Sequence, residues 1–348
     1  MKYGAIPENV FERLALATGK VPVPAMDALF SIMKARILMT AVRLGVFEAL
    51  RDGPRTPAEV ASGRGLDPEV TGLLLRALVF GDYLEQQGDR FALSRLGRDT
   101  MIEGAPMDMR GFVEWTVVQW EFVEHMEDLV RTGRGLDFHD TMSDPERWSH
   151  YQRAMLEIAR FDAPILAAKV PVRKGARRLL DVAGSHGLLG AAICRKHPPM
   201  RSVVLDLPNA VEHARKLARE AGIDDVVEHQ VGNLETDDFG ADNDVVLLAN
   251  ILHHFQPDEN RAILRKAAAS LTPAGTVAVW DLERPRPESK AGSGDGAALF
   301  FRLTSTASCY SGEEYARWMT EAGLKKVRIQ RPLLSPAGVL VTGRTSPS

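Results

Sequence analysis

From residue 166 onward, short apolar runs alternate with segments whose apolar residues recur every three or four positions. The runs Arg178–Val182, Ser202–Asp206, Val226–Val231, Asp244–Ala249 and Thr276–Asp281 read as strands. The segments Leu188–Lys196, Ala210–Ala221 and Asp258–Ser270 read as helices between them. Near-continuous apolar strands that alternate with helices predict a parallel sheet covered on both faces. The rhythm then changes. Leu324–Arg331 and Gly338–Arg344 are two strands separated only by Pro332-Leu333-Leu334-Ser335-Pro336-Ala337, so the last strand is expected to be antiparallel.

The first hundred residues carry a different pattern. Met26, Leu29, Phe30, Met33, Ile37, Leu38, Ala41 and Leu44 form one broad apolar face, which predicts a helix over Ala25–Leu50. Thr56-Pro57-Ala58-Glu59 is a helix start with its own capping box, and Asp67-Pro68-Glu69-Val70 is a second capped start. The runs around Gln87-Gly88-Asp89 read as a small hairpin. Short helices followed by a hairpin make a winged helix, which raises the question of DNA binding. Its second helix, Pro68–Gly81, carries only Arg76 as a basic residue, too little for the phosphate contacts that DNA affinity needs. No nucleic-acid partner is expected. Residues 106–165 are helical and aromatic, and read mainly as buried core.

The chemistry sits where strand gives way to helix. Leu179-Leu-Asp-Val-Ala-Gly-Ser-His-Gly187 is a strand, a tight glycine-containing turn and a helix start. Such a turn lets a ligand approach the backbone, and the helix N-terminus offers free N–H groups. Asp206 closes the next strand, about 20 residues on, where nucleotide-type folds place the carboxylate that grips a ribose. The turn lacks the Gly-x-Gly-x-x-Gly cradle for a pyrophosphate, and Asp181 precedes it. An acid there suits the ammonium of a methionine moiety, so S-adenosylmethionine fits better than NAD. Asn250-Ile-Leu-His-His-Phe255 follows the fourth strand, on the ligand-binding edge of an open sheet. An imidazole near neutrality can accept a phenolic proton there.

Composition narrows the setting. The 348 residues allow two domains. A net charge of −3 provides no basic field for nucleic acid or an anionic membrane. Cys194 and Cys309 suggest neither a disulfide framework nor a metal site. No run reaches the roughly 18 apolar residues of a membrane span, and the first eight residues lack the apolar core of a signal peptide. A cytoplasmic location is expected.

Asp181–Gly187, Val203-Val-Leu-Asp-Leu-Pro-Asn209 and Asn250–Phe255 together resemble the caffeate/hydroxyneurosporene-type O-methyltransferases, class I enzymes that use S-adenosylmethionine. The resemblance runs over nearly the whole chain. It implies an α/β fold with a Rossmann-like, mostly parallel seven-stranded sheet whose last strand is antiparallel. A winged-helix dimerisation domain would occupy 1–105, a helical linker and acceptor-pocket wall 106–165, and the cofactor domain 166–348. The resemblance further implies a homodimer acting on a small, aromatic acceptor.

Residue by residue, the resemblance puts Asp181, Gly184, Ser185 and Gly187 at the methionine end, Asp206 on the ribose, Leu207, Asn233 and Leu234 at the adenine, and Asn250 beside the cofactor. Trp120 and Met155 would wall the acceptor pocket, with Phe300, Phe301 and Thr304 near its mouth. His253 matches the general base, and Asp281 stands where the family carries an orienting Glu. One methylene shorter, Asp281 is expected to reach His253 through a water. The family's other orienting Glu falls near Cys309 and is missing, leaving Glu283 or Glu313 as stand-ins. C- or N-methylation stays open on these residues, as does a non-methylating reaction. No metal is implied.

Overall fold

The structure is a computed structural model. It describes all residues except 1–3, 5, 8, 139–141, 143, 287, 289, 290, 336, 347 and 348. The N-terminal stretch read for a leader and Pro336 of the terminal turn thus fall partly or wholly outside the described residues. The chain divides into two compact units, Met1–Val117 and Val118–Ser348.

In the first unit the expected long helix is broken. Helices α1 (Val10–Ala17) and α2 (Val23–Arg43) are followed by the single turn α3 (Val46–Ala49). Gly45 stands between α2 and α3 in the left-handed region at φ 65°, a conformation that ends a helix. Periodicity alone runs across such a residue, so Ala25–Leu50 is two elements. Helix α4 (Pro57–Ser62) starts at the Thr56–Glu59 capping box, and α5 (Pro68–Phe80) at Asp67, whose carboxylate accepts from the Val70 N–H. Strands β1 (Leu84–Gln87) and β2 (Arg90–Leu93) form the hairpin, and α6 (Arg95–Thr100) follows. Helix α7 (Arg110–Val123) crosses the division between the units.

The second unit continues with α8 (Met126–Thr132) and the long α9 (Pro145–Lys169). Next come β3 (Arg178–Val182), α10 (Leu188–Lys196), β4 (Arg201–Asp206), α11 (Pro208–Glu220), β5 (Val227–Val231) and β6 (Asn243–Ala249). A short 3₁₀ turn, Leu252–His254, leads to α12 (Pro257–Ala269) and β7 (Leu271–Leu282). Helices α13 (Ser293–Leu303) and α14 (Gly312–Glu321) precede β8 (Lys325–Gln330) and β9 (Gly338–Arg344). The seven strands lie in the order β5-β4-β3-β6-β7-β9-β8. Pairings from β5 to β7 are parallel, and β9 runs antiparallel to both β7 and β8. The expected mostly parallel sheet with an antiparallel last strand is therefore the observed one.

Two apolar layers sandwich the sheet. One face of β3, β6 and β7 (Leu180, Val246, Val277) packs under α12 and α14, and the other (Leu179, Val245, Ala278) under α9 and α10. With both faces of the sheet covered, the polar edge at the strands' carboxyl ends is where a ligand can bind. The chain reverses from β3 into α10 at Gly187, φ 77°. A Cβ there would meet Val227 Cγ1 at 2.8 Å and Val204 Cγ2 at 2.9 Å. Gly187→Ala should therefore destabilise by roughly 2–4 kcal/mol, through left-handed strain and crowding together. Urea unfolding checks this, and a loss under 0.5 kcal/mol would contradict it.

Candidate active site

Three strand ends build the site. Beyond β3, the turn Ala183–Gly187 is drawn tight by the Gly187 N–H donating to the Gly184 carbonyl at 2.9 Å. Ala183 and Ser185 both take positive φ, 54° and 49°, and so store backbone strain that the surroundings must hold. What holds it is visible. The Asp206 carboxylate, at the end of β4, accepts from the Ser185 N–H at 2.9 Å and from the Leu207 N–H at 2.8 Å. His229 on β5 donates from Nε2 to the Ser185 carbonyl at 3.0 Å, since a carbonyl can only accept. His186 is buried and accepts the Leu188 N–H on Nδ1 at 3.0 Å, with its other nitrogen turned to the Met155 carbonyl of α9. Burial pushes this imidazole down to about 4, so it braces the turn as a neutral ring. Burial also pushes His229 down.

Asp181 lies beneath this turn, 1 % exposed, and neither carboxylate oxygen has a hydrogen-bond partner among the described residues. Burial pushes its carboxyl up to about 7; the Gly190 N–H, short of hydrogen-bond geometry, counters in part, and the Asp206 charge adds to the rise. A Cβ on Gly184 would overlap this carboxylate, so the glycine is required by the acid below it. An orphaned, buried carboxylate is costly. Here it faces a cavity of about 420 Å³, a size typical of small-molecule sites.

That cavity is lined by the turn (Asp181, Gly184, Ser185), by Asp206 and Leu207, by Asn233 and Leu234, and by Asn250 beyond β6. Met155 of α9 lines it as well. Gly187 does not: its neighbours are core valines, so it is a packing glycine. Trp120, Phe300 and Thr304 are also absent from the lining. Thr304 is buried with its hydroxyl given to the Phe300 carbonyl, 3.2 Å away. Asn233 has spent one lone pair of Oδ1 on the Glu235 N–H at 2.8 Å, closing its own loop.

The residues fit S-adenosylmethionine. Asp181 offers an uncompensated carboxylate for an ammonium, Asp206 a half-buried carboxylate for a ribose diol, and Leu207 and Leu234 two apolar faces for a purine. The lining also includes residues that sequence reasoning missed. Phe138, Trp148 and Tyr151 form an aromatic cluster, with Phe138–Tyr151 centroids 5.0 Å apart, and Phe138 reaches His254 at 5.7 Å. Gln152 is fully buried with Oε1 unpartnered, and the Trp148 Nε1–H is likewise unpartnered among the described residues. In sequence these positions look like core, because an aromatic-rich helix looks the same lining a pocket as filling one.

The histidine turn is held from several sides. Asn260 donates to the Leu252 and Phe255 carbonyls, both at 3.0 Å, and the Tyr310 hydroxyl to the Phe255 carbonyl at 2.7 Å. His253 Nδ1 meets Asp281 Oδ1 at 2.7 Å. The contact is direct, which corrects the expectation of a bridging water: Asp281 ends β7 beside β6, close enough that the shorter side chain spans the gap. Glu283 and Glu313 are no substitutes. Both turn to Arg331, as near as 2.6 Å and 2.8 Å. His253 is 2 % exposed and stacks edge-on against Phe301, with centroids 4.4 Å apart; His254, not His253, lines the cavity.

Comparison with known proteins places the chain in a family. The O-methyltransferase domain family matches residues 123–325, and the O-methyltransferase dimerisation domain matches residues 26–101. The chain belongs to this family. It is an S-adenosylmethionine-dependent methyltransferase. A mitomycin biosynthesis 6-O-methyltransferase from Streptomyces lavendulae is 31% identical to this methyltransferase over 325 residues, covering 90% of each chain. The N,N-dimethyltransferase OxyT from Streptomyces rimosus is 27% identical over 86% of this chain and 89% of its own. Among solved structures, human N-acetylserotonin methyltransferase in complex with S-adenosylmethionine superposes with a TM-score of 0.82 at 18% identity, covering 98% of this chain and 99% of that one. Relatives of this methyltransferase thus include both O- and N-methyltransferases. Among the described residues, no helix is long and apolar enough to cross a membrane.

The raised Asp181 and the lowered His186 and His229 pull stability in opposite directions with pH. Between its ordinary 3.8 and about 7, folded Asp181 holds a proton that the unfolded chain has lost, so its contribution falls as pH rises through that window. The two histidines, neutral when folded, contribute the opposite slope below their ordinary 6.5. Asp181→Asn removes only the first effect. The stability of wild type minus variant should decline steadily from pH 4 to pH 7 in urea unfolding. A flat difference would mean that Asp181 is ionised in the ligand-free protein.

Proposed function

We propose that this methyltransferase transfers the methyl group of S-adenosylmethionine to a hydroxyl of a small aromatic metabolite, with His253 as general base oriented by Asp281. The observation that carries the reading is the 2.7 Å contact between His253 Nδ1 and Asp281 Oδ1. A carboxylate only accepts, so Nδ1 carries the proton and the lone pair stays on Nε2. No hydrogen-bond partner of Nε2 is found among the described residues. A nitrogen with a free lone pair is what deprotonating a hydroxyl requires.

The cofactor's sulfonium supplies the activated methyl group. The chain's part is to align and to deprotonate. Asp181 holds the methionine ammonium and Asp206 the ribose of the cofactor. The cluster of Phe138, Trp148, Tyr151 and Met155 offers a flat apolar wall to an aromatic ring. Gln152 Oε1 and Trp148 Nε1 add one acceptor and one donor to that wall. Alignment of acceptor and donor methyl accounts for much of the rate in such a transfer.

His253→Ala should lower turnover roughly 10²–10⁴-fold at pH 7 with cofactor affinity nearly unchanged. His254→Ala should cost less. One observation favours a second reading: His254 lines the cavity and His253 does not. If His254→Ala proves the more damaging, His254 is the group that meets the acceptor. If His253→Ala keeps wild-type turnover, no proton is taken there, and N- or C-methylation becomes the better account. Product mass analysis over a panel of phenols and amines separates these outcomes.

The assembly we propose is a homodimer through the first unit. Leu29, Phe30 and Met33 of α2 are 59%, 52% and 48% exposed, an apolar face that a soluble monomer rarely leaves open. Light scattering should give twice the 38.2 kDa chain mass. A soluble, active monomer at micromolar concentration would contradict it.

A further inference from the structure

Asp281 is buried and accepts from four directions. Oδ1 takes His253 Nδ1 at 2.7 Å and the Leu282 N–H at 2.8 Å. Oδ2 takes the His253 N–H at 3.3 Å and the Tyr315 hydroxyl at 3.2 Å. Of these donors, only His253 and Tyr315 contribute side chains. Tyr315 comes from α14, 34 positions along the chain, and is fully buried. Its ring is fixed edge-on against Tyr310, centroids 6.0 Å apart at 77°, and against Trp318, 5.7 Å apart at 82°. The ring packing aims the hydroxyl; the hydroxyl occupies the one carboxylate oxygen that His253 Nδ1 does not use.

We propose that Tyr315 is a positioning residue for methyl transfer, fixing the rotation of the Asp281 carboxylate and through it the orientation of His253. The inference rests on His253 being the base. The backbone donors hold Oδ1 closely, at 2.8 Å, but Oδ2 only at 3.3 Å, so without a further donor the carboxylate keeps some freedom to turn about its Cβ–Cγ bond. A hydrogen bond from a rigid ring to Oδ2 removes that freedom. The donor also draws charge off Asp281, so its removal should leave the carboxylate a stronger partner for a protonated imidazole. The other titratable groups facing His253 and Asp281 are His254, with its ring centroid 4.3 Å from that of His253, and Cys309 and Tyr310, with Arg284, Glu259 and Glu314 further out. Burial pushes the Cys309 thiol up to about 12 and the Tyr315 phenol well above its ordinary value, so both stay neutral beside Asp281.

The test is Tyr315→Phe, which keeps the ring contacts and removes one oxygen. Turnover should fall about tenfold, the scale of one hydrogen bond to a charged group. KM for both substrates should stay within about twofold, and the acid limb of the kcat/KM profile should move to higher pH by about half a unit. A purely structural role would instead lower the melting temperature or the cofactor affinity and leave the pH limb in place. Combined with His253→Ala, Tyr315→Phe should cost nothing further, because the base it orients is gone. Wild-type turnover and profile in Tyr315→Phe, or an undiminished loss on the His253→Ala background, would overturn the proposal. If His253→Ala is itself silent, the base reading fails first. If His253→Ala is damaging and Tyr315→Phe is not, only the role of Tyr315 fails.

Discussion

A carboxylate with essentially no exposure to water needs donors, and Asp281 finds four of them in one place. Leaving that group unpaired would be expensive, so the elements that supply the donors are tied to each other through it. The donors come from the end of β7, from the 3₁₀ turn after β6 and from α14. The turn that carries His253 and His254 has little regular structure of its own. It is shaped by this carboxylate, by the Asn260 amide and by the Tyr310 hydroxyl. The geometry of the candidate base therefore follows from satisfying a buried charge.

At β3 the opposite choice is made. Asp181 is equally buried, yet its oxygens have no partner among the described residues. The strain at Ala183 and Ser185 and the orphaned acid lie within one turn. Asp206 and two neutral histidines hold that turn from outside. Such an arrangement costs stability in the ligand-free protein, a cost that the proposed binding of a cofactor ammonium would offset. The two acids differ in this: Asp281 is saturated by four donors, whereas Asp181 has none among the described residues.

Much of this was legible in the sequence. The bounds of β3, α10 and β9 match those read from the sequence residue for residue; α10 starts directly after Gly187, and β9 opens on Gly338. The Thr56 and Asp67 caps carry their own side-chain signals. The break at Gly45 was hidden because apolar residues continue on both sides of it. At the site, Asp181 and Asp206 could be picked out because each sits near a strand end, where position along the chain fixes position in space, whereas His253 and Asp281 rested on the family resemblance. Tyr315 could not be picked out, since helix α14 approaches Asp281 only through the fold of the sheet. Glu283 is next to the right strand end and still points elsewhere, drawn to Arg331. Spacing finds groups on the strand edge; it does not say which charge another charge will choose.

In the proposed mechanism Asp281 holds the proton of neutral His253 on Nδ1 and so frees Nε2. Nitrogen-15 NMR of the protein labelled at its histidines, read at pH 8 and assigned against His253→Ala, measures this directly. The expected spectrum shows the Nδ1–H tautomer for His253, its proton moved far downfield by the carboxylate, with the shift lost in Asp281→Asn. A His253 resonance in the Nε2–H tautomer, or one indifferent to Asp281→Asn, would contradict it.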